Sequence, residues 1–306
     1  MTTELIEQLH GIVSPVITPL NENRTFDAGS AARLYSHLLE IGINGFFLFG
    51  SSGEGPLLNS ADRHAALKTA VEIAGGRIPV LAAVLEPGTD LVIEQGRAAR
   101  DLGADALVVC PPFYYPGSQA DVLRHFRAVN EAFDIPIIAY DIPSTTKIKI
   151  QLSTMLTLAS EGTIIAAKDS SPDFVGFRRL LEKRPEGFKL FTGAELLVDA
   201  ALSHGADGTV SGLANVAPEQ FVQMYDLWRA GRQSEAIEIQ NALVRIFDVF
   251  LTPEGSLETG SAIGAMKTAM KLRGLIDHNT LCRPFAPVTS KQEERTRRIM
   301  TEAGLL

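Results

Sequence analysis

Eight short apolar runs recur along this 306-residue chain, at 11–18, 45–50, 78–84, 106–110, 135–140, 163–168, 189–192 and 208–211. Most are continuously apolar and not alternating, the pattern of strands covered on both faces. The stretches between them have helical spacing: Leu34, Tyr35, Leu38 and Leu39 share one face, and Val122, Leu123, Phe126 and Val129 share another. Ser118 with Asp121 has capping-box spacing, while Ser171-Pro172-Asp173 and Pro218-Glu219 read as helix starts with a first-turn proline. Gly42, Gly103 and Gly205 follow helices, where a left-handed cap is needed. Eight strand–helix units predict an α/β protein, a (β/α)8 TIM barrel. An open doubly wound sheet is the competitor, but no Gly-x-Gly-x-x-Gly follows an early strand. Beyond Ser211 the strand pattern stops and helices follow, with a break at 252–255. The expected division is a barrel domain over 1–225 and a helical domain over 226–306. The latter contains Ala262-Ile263-Gly264-Ala265-Met266-Lys267, a small-residue helix suited to close packing.

Composition bounds the function. With 45% hydrophobic and 21% charged residues the chain can bury a substantial core. A net charge of −8 argues against nucleic acid or an anionic membrane surface as partner, although a locally positive pocket still admits an acidic substrate. Residues 1–5 do not resemble a signal peptide, and no apolar run reaches membrane-spanning length. Cys110 and Cys282 have neither zinc nor redox spacing and are expected to be buried, inert thiols in a cytoplasmic protein. None of the six histidines has a metal-ligand spacing to another, so neither metal nor cofactor is expected.

In such a barrel the chemistry lies at the C-terminal ends of the strands. Strand six ends in Lys168, where burial favours the nucleophilic amine over the ammonium form. Taken alone, it reads more readily as a strand-end lysine that simply reaches water. Strand five ends in Tyr140-Asp141-Ile142-Pro143, so a phenol able to exchange a proton stands on the neighbouring strand. Strand two ends in Gly50-Ser51-Ser52-Gly53-Glu54-Gly55, whose amides and hydroxyls suit a carboxylate or a phosphate. Strand four ends in Phe113-Tyr114-Tyr115, too apolar for open water and suited to a subunit contact or a pocket wall. Gly193 and Val210-Ser211-Gly212, after strands seven and eight, offer either a phosphate site or clearance for a substrate. Lys147 and Lys149 follow strand five and read as solvated lysines.

The Gly50–Glu54 loop, Tyr140-x-x-Pro143, Lys168, the Gly193 turn and Asn215-x-x-Pro218 together resemble the dihydrodipicolinate synthase/N-acetylneuraminate lyase family of pyruvate-dependent aldolases. The resemblance spans nearly the whole chain. It implies a barrel with a C-terminal helical domain, usually a homotetramer. It implies Lys168 as the imine-forming lysine, Tyr140 as the proton shuttle, and Ser51 and Ser52 as the carboxylate-binding pair, with Ser51 also in the relay. A second relay tyrosine lent by a neighbouring subunit would be Tyr114, with Tyr115 the rival. Gly193 and Val210 would line the substrate site. Thr145 stands where dihydrodipicolinate synthases carry an arginine for the aldehyde's carboxylate, and a buried carboxylate without its cation is costly. The chain is therefore not expected to be a true dihydrodipicolinate synthase. Sialic acid lyases carry two acids at strand seven, and here only Glu195 is present.

The resulting expectation is a class I aldolase or lyase that joins a 2-keto acid to Lys168 and cleaves or forms pyruvate plus an aldehyde. By elimination the substrate is of the 2-keto-3-deoxy sugar acid type. A dehydratase working through the same imine, dihydrodipicolinate synthase or N-acetylneuraminate lyase activity, a metabolite-binding barrel without catalysis, and a phosphate-binding isomerase using Gly193 and Gly212 remain as alternatives.

Overall fold

A computed structural model describes residues 2–252 and 254–306. Its eight parallel strands are β1 (Gly11–Ser14), β2 (Gly45–Leu48), β3 (Val80–Ala83), β4 (Ala106–Val109), β5 (Ile137–Asp141), β6 (Ala166–Asp169), β7 (Lys189–Thr192) and β8 (Gly208–Thr209). Each pairs with the next, and β8 returns to β1 through Gly11↔Gly208 and Ile12↔Thr209, closing a barrel in place of the open-sheet alternative. The seam depends on glycine: a Cβ on Gly208 would stand 2.0 Å from the Gly11 carbonyl oxygen. β1 is shorter than the run at 11–18 because Pro15 has no N–H to continue the ladder. The register sets Tyr140 beside Lys168, and Lys168 beside Phe191.

Helices return the chain between strands, and their apolar faces cover the barrel. Leu34, Tyr35 and Leu38 are buried in helix Ala28–Ile41, as are Val122, Phe126 and Val129 in helix Gln119–Glu131, while Leu39 and Leu123 are half-buried. Ser118 and Asp121 form the expected capping box, and Pro218 opens helix Pro218–Arg229 at its first position. The start near Ser171 differs. Asp173, not Ser171, caps helix Phe174–Lys183 by accepting from the Gly176 N–H at 2.8 Å, so Pro172 precedes the helix.

Helix Pro218–Arg229 packs on β1 and on helix Ala28–Ile41, so it belongs to the barrel wall. The expected division after residue 225 falls inside this helix, which also packs on helix Gln233–Ile246 across the turn at Gly231 (φ 76°) and so joins the barrel to the helices that follow. Helices Gln233–Ile246, Thr259–Leu272 and Ser290–Glu302 follow. Of the break at 252–255, Pro253 lies outside the described residues; Gly255 N–H donates to the Thr252 carbonyl at 2.9 Å, a turn joining the Leu251↔Leu257 bridge. Helix Thr259–Leu272 is buried from Ala262 to Met270. Its small residues meet the chain's own C-terminal segment: a Cβ on Gly264 would stand 2.9 Å from Val288, and one on Gly260 2.8 Å from the Phe285 ring. Among the described residues no helix is long and apolar enough to cross a membrane.

Candidate active site

A cavity of about 320 Å³ opens where the strands end. Lys168 lies at its floor, 6% exposed, between two aromatic rings. Its Nζ is 4.3 Å from the centre of the Tyr140 ring and 4.7 Å from that of Phe47. Phe47 and Tyr140 meet edge to face at 5.7 Å, so the rings brace each other and confine the amine. Gly193 makes room for this arrangement: a Cβ there would stand 2.1 Å from Ser170 Oγ and 3.1 Å from Lys168 Cε.

Ser51 and Ser52 reach the same cavity from the loop after β2. The loop's positive φ angles fall on Phe49 (60°) and Glu54 (55°), not on its glycines. Those glycines provide space instead: a Cβ on Gly50 would stand 2.2 Å from the Phe47 ring, and one on Gly55 1.9 Å from the Phe49 carbonyl oxygen. Glu54 turns away from the cavity. It accepts from the Cys282 N–H at 2.7 Å and forms a fully buried ion pair with Lys267, whose Nζ also donates to the Thr280 carbonyl at 2.7 Å. Burial lowers the Lys267 pKa, and the Glu54 carboxylate opposes that shift. The serine loop is thereby fastened to helix Thr259–Leu272, which lines the cavity through Ala262, Ile263 and Met266.

One residue beyond Tyr140 and Lys168, the buried carboxylates of Asp141 and Asp169 both bind Lys149 Nζ, with the Asp169 contact at 2.9 Å. Burial, reinforced by Asp169, pushes the Asp141 carboxyl up to about 6, against the pull of Lys149. Burial acts downward on Lys149, but Asp169 and Asp141 outweigh it and raise its pKa. Lys149 is thus no solvated lysine; it cross-links the ends of β5 and β6. Lys147 instead donates from its Nζ to the Ser144 carbonyl at 2.5 Å.

Of the residues expected from the sequence, Lys168, Tyr140, Ser51, Ser52, Gly193 and Val210 converge on the cavity. Thr145 does not: it is exposed, and Ser144 lines the cavity in its place within the one-turn helix Pro143–Thr146. Tyr114 and Tyr115 are 80% and 81% exposed and outside the cavity of this single chain, with Tyr114 at φ 76°. Gly212 is not free for a phosphate, since its N–H donates to Glu195 Oε1 at 2.9 Å. Burial raises the Glu195 pKa against the influence of that amide and of Lys168. Cys110 and Cys282 are buried thiols, each pushed by burial up to about 12. Among the described residues no cluster of three or more His, Cys, Asp or Glu is placed to hold a metal. Sequence reasoning missed Glu54–Lys267 and the Asp141–Lys149–Asp169 cluster. The available signal was a lysine inside an otherwise small and apolar helix, and a second acid following each strand-end residue.

Comparison with known proteins agrees with this geometry. The model of the dihydrodipicolinate synthetase family matches residues 8–303. An uncharacterized DapA-like lyase of Halobacterium salinarum is 32% identical over 298 residues, covering 97% of this chain and 95% of that protein. A 4-hydroxy-tetrahydrodipicolinate synthase of Gluconacetobacter diazotrophicus is 30% identical, with 97% of each chain covered. Among solved structures, YagE of E. coli in complex with pyruvate, a prophage protein of the dihydrodipicolinic acid synthase family, superposes with a TM-score of 0.91. It is 25% identical and covers 97% of this chain and 99% of its own. The chain belongs to the dihydrodipicolinate synthetase family and is an enzyme of the lyase type.

Proposed function

We propose that this enzyme is a class I aldolase that forms an imine between Lys168 and a 4-hydroxy-2-keto acid and cleaves it to pyruvate and an aldehyde, or runs the reverse condensation. One observation carries the reading: an amine and a phenol on neighbouring strands, with Lys168 Nζ 4.3 Å from the Tyr140 ring centre, in a cavity that also presents Ser51 and Ser52. The deprotonated amine attacks the C2 carbonyl, and loss of water gives the imine. The positive imine nitrogen accepts the electron pair of the C3–C4 bond as that bond breaks. Tyr140 takes the proton of the C4 hydroxyl, and the aldehyde departs. The enamine is protonated at C3, and water then releases pyruvate and restores Lys168. Ser51 and Ser52 hold the substrate carboxylate, with Ser51 passing protons to Tyr140. The pyruvate complex of a structural neighbour supports pyruvate as the shared half of the reaction.

Tyr114, exposed on its single chain, completes the relay when a second copy docks against it, and the working form is a homotetramer. Two buried, unpaired thiols fit a cytoplasmic enzyme. Borohydride reduction in the presence of pyruvate tests the proposal. A stable adduct mapped to Lys168 is expected, and it disappears in Lys168→Ala. An intact protein left unmodified at saturating pyruvate overturns it.

A further inference from the structure

The cavity wall supplied by the C-terminal segment is apolar. Phe247, Phe250, Leu257, Ala262, Ile263 and Met266 line it, and Thr259 is the one hydroxyl that segment adds. Lys168 and Glu195 are the only charged residues among the described lining. Once Lys168 is joined to the keto acid, no second cation among the described lining is left for a further anionic group. A polyhydroxylated tail fits no better. Each buried hydroxyl needs a partner, and an unpaired one carries its full desolvation cost. With Tyr140, Ser51 and Ser52 engaged at the reacting end, the remaining hydroxyls are Ser144, Ser170 and Thr259, and Glu195 already accepts from Gly212. On this chain the six apolar side chains of the wall outnumber those three hydroxyls two to one, so a sugar chain would set most of its surface against groups that offer its hydroxyls no partner. The volume, about 320 Å³, lies at the small end of ligand pockets, which run from about 300 to 1,000 Å³.

We propose that the aldehyde half of the substrate is uncharged and mainly apolar, an aliphatic or aryl aldehyde seated on Phe247, Phe250, Leu257 and Met266. The inference rests on the imine reading and departs from the sugar-acid class reached by elimination. The reaction stays balanced as R–CH(OH)–CH2–CO–COO⁻ giving R–CHO and pyruvate, with R apolar.

The test has two arms on the full-length protein. Borohydride trapping with pyruvate alone reports the imine. Condensation of pyruvate with benzaldehyde, pentanal, glyceraldehyde and succinic semialdehyde then reports the aldehyde class through kcat/KM. The expected result is trapping together with benzaldehyde or pentanal preferred over glyceraldehyde and succinic semialdehyde by about tenfold or more. Trapping with glyceraldehyde or succinic semialdehyde equal or better overturns the inference and leaves the imine standing. Absence of trapping overturns both. Phe250→Ser is expected to narrow the apolar preference. Should that buried substitution fail to fold, Leu257→Ser makes the same test at a side chain 61% exposed. A preference unchanged in a folded variant counts against the assigned wall.

Discussion

Lys168 and Tyr140 are cross-strand partners at the ends of β5 and β6, so the strand register fixes their relative placement. The roles proposed for them are separable. Tyr140→Phe keeps the ring that packs on Phe47 and loses only the hydroxyl. It is expected to lower kcat on the order of a hundredfold while borohydride still traps pyruvate on Lys168, a split that turnover and intact-mass measurements read directly. His125 sets a second residue-level expectation. It is buried, its Nδ1 is 3.0 Å from Thr89 Oγ1, and burial lowers its pKa from 6.5 to about 4. The unfolded chain binds a proton in that window that the folded chain refuses. The corresponding stability is present above pH 6.5 and is lost as pH falls towards 4, with a slope of about 1.4 kcal/mol per pH unit. Asp141 works in the opposite sense: its raised pKa adds stability at low pH that is lost as pH rises through about 6. The informative quantity is therefore the difference in slope between wild type and His125→Asn. Urea denaturation from pH 4 to 7 is expected to show that difference at roughly one proton; parallel slopes contradict the assignment.

Between elements, the buried Glu54–Lys267 pair links the serine loop to the helix above the cavity. Lys267→Met leaves a buried carboxylate without its cation and is expected to cost about 3–5 kcal/mol, while adding Glu54→Gln recovers much of that loss. Denaturant midpoints of the two single variants and the double variant measure the coupling. The β1–β8 seam makes a stricter demand. Gly208→Ala sets a methyl group against backbone that cannot yield, so a loss above the roughly 1–3 kcal/mol typical of overpacking is expected. The strands were legible because their period carries them; position put Lys168 and Tyr140 at strand ends, but a strand-end lysine also reads as one reaching water, and only the resemblance singled the pair out. Lys149 and Lys267 were not legible, because their burial depends on acids from other segments: Asp141 and Asp169 lie 8 and 20 residues from Lys149, and Glu54 lies more than two hundred residues from Lys267. Thr145 stands outside the cavity of the single chain for a local reason. Helix Pro143–Thr146 offers Ser144, not Thr145, to the cavity, and one-residue offsets in a single turn leave no periodic trace. The division expected after residue 225 falls within helix Pro218–Arg229, which packs on the barrel and on the following helix alike, and no compositional change marks where one ends and the other begins.

At the scale of the whole molecule, the chain closes its barrel and then sets the segment from Phe247 to Met266 against the mouth, so the polypeptide that carries Lys168 and Tyr140 also supplies the apolar wall. The exposed Tyr114–Tyr115 pair, rings 5.0 Å apart, is the feature a single copy leaves unexplained. Four copies in solution are expected by light scattering, with Tyr114→Phe slowing turnover while the assembly persists; a monomer at assay concentration with full activity contradicts the shared relay. The proposed chemistry runs entirely through a covalent bond between Lys168 and a keto acid. A crystal structure of the enzyme soaked in pyruvate measures it most directly. Continuous density from Lys168 Nζ to the pyruvate C2, with the carboxylate on Ser51 and Ser52, is expected. Pyruvate fully occupying the cavity with Nζ unattached, or bound away from Lys168, contradicts it.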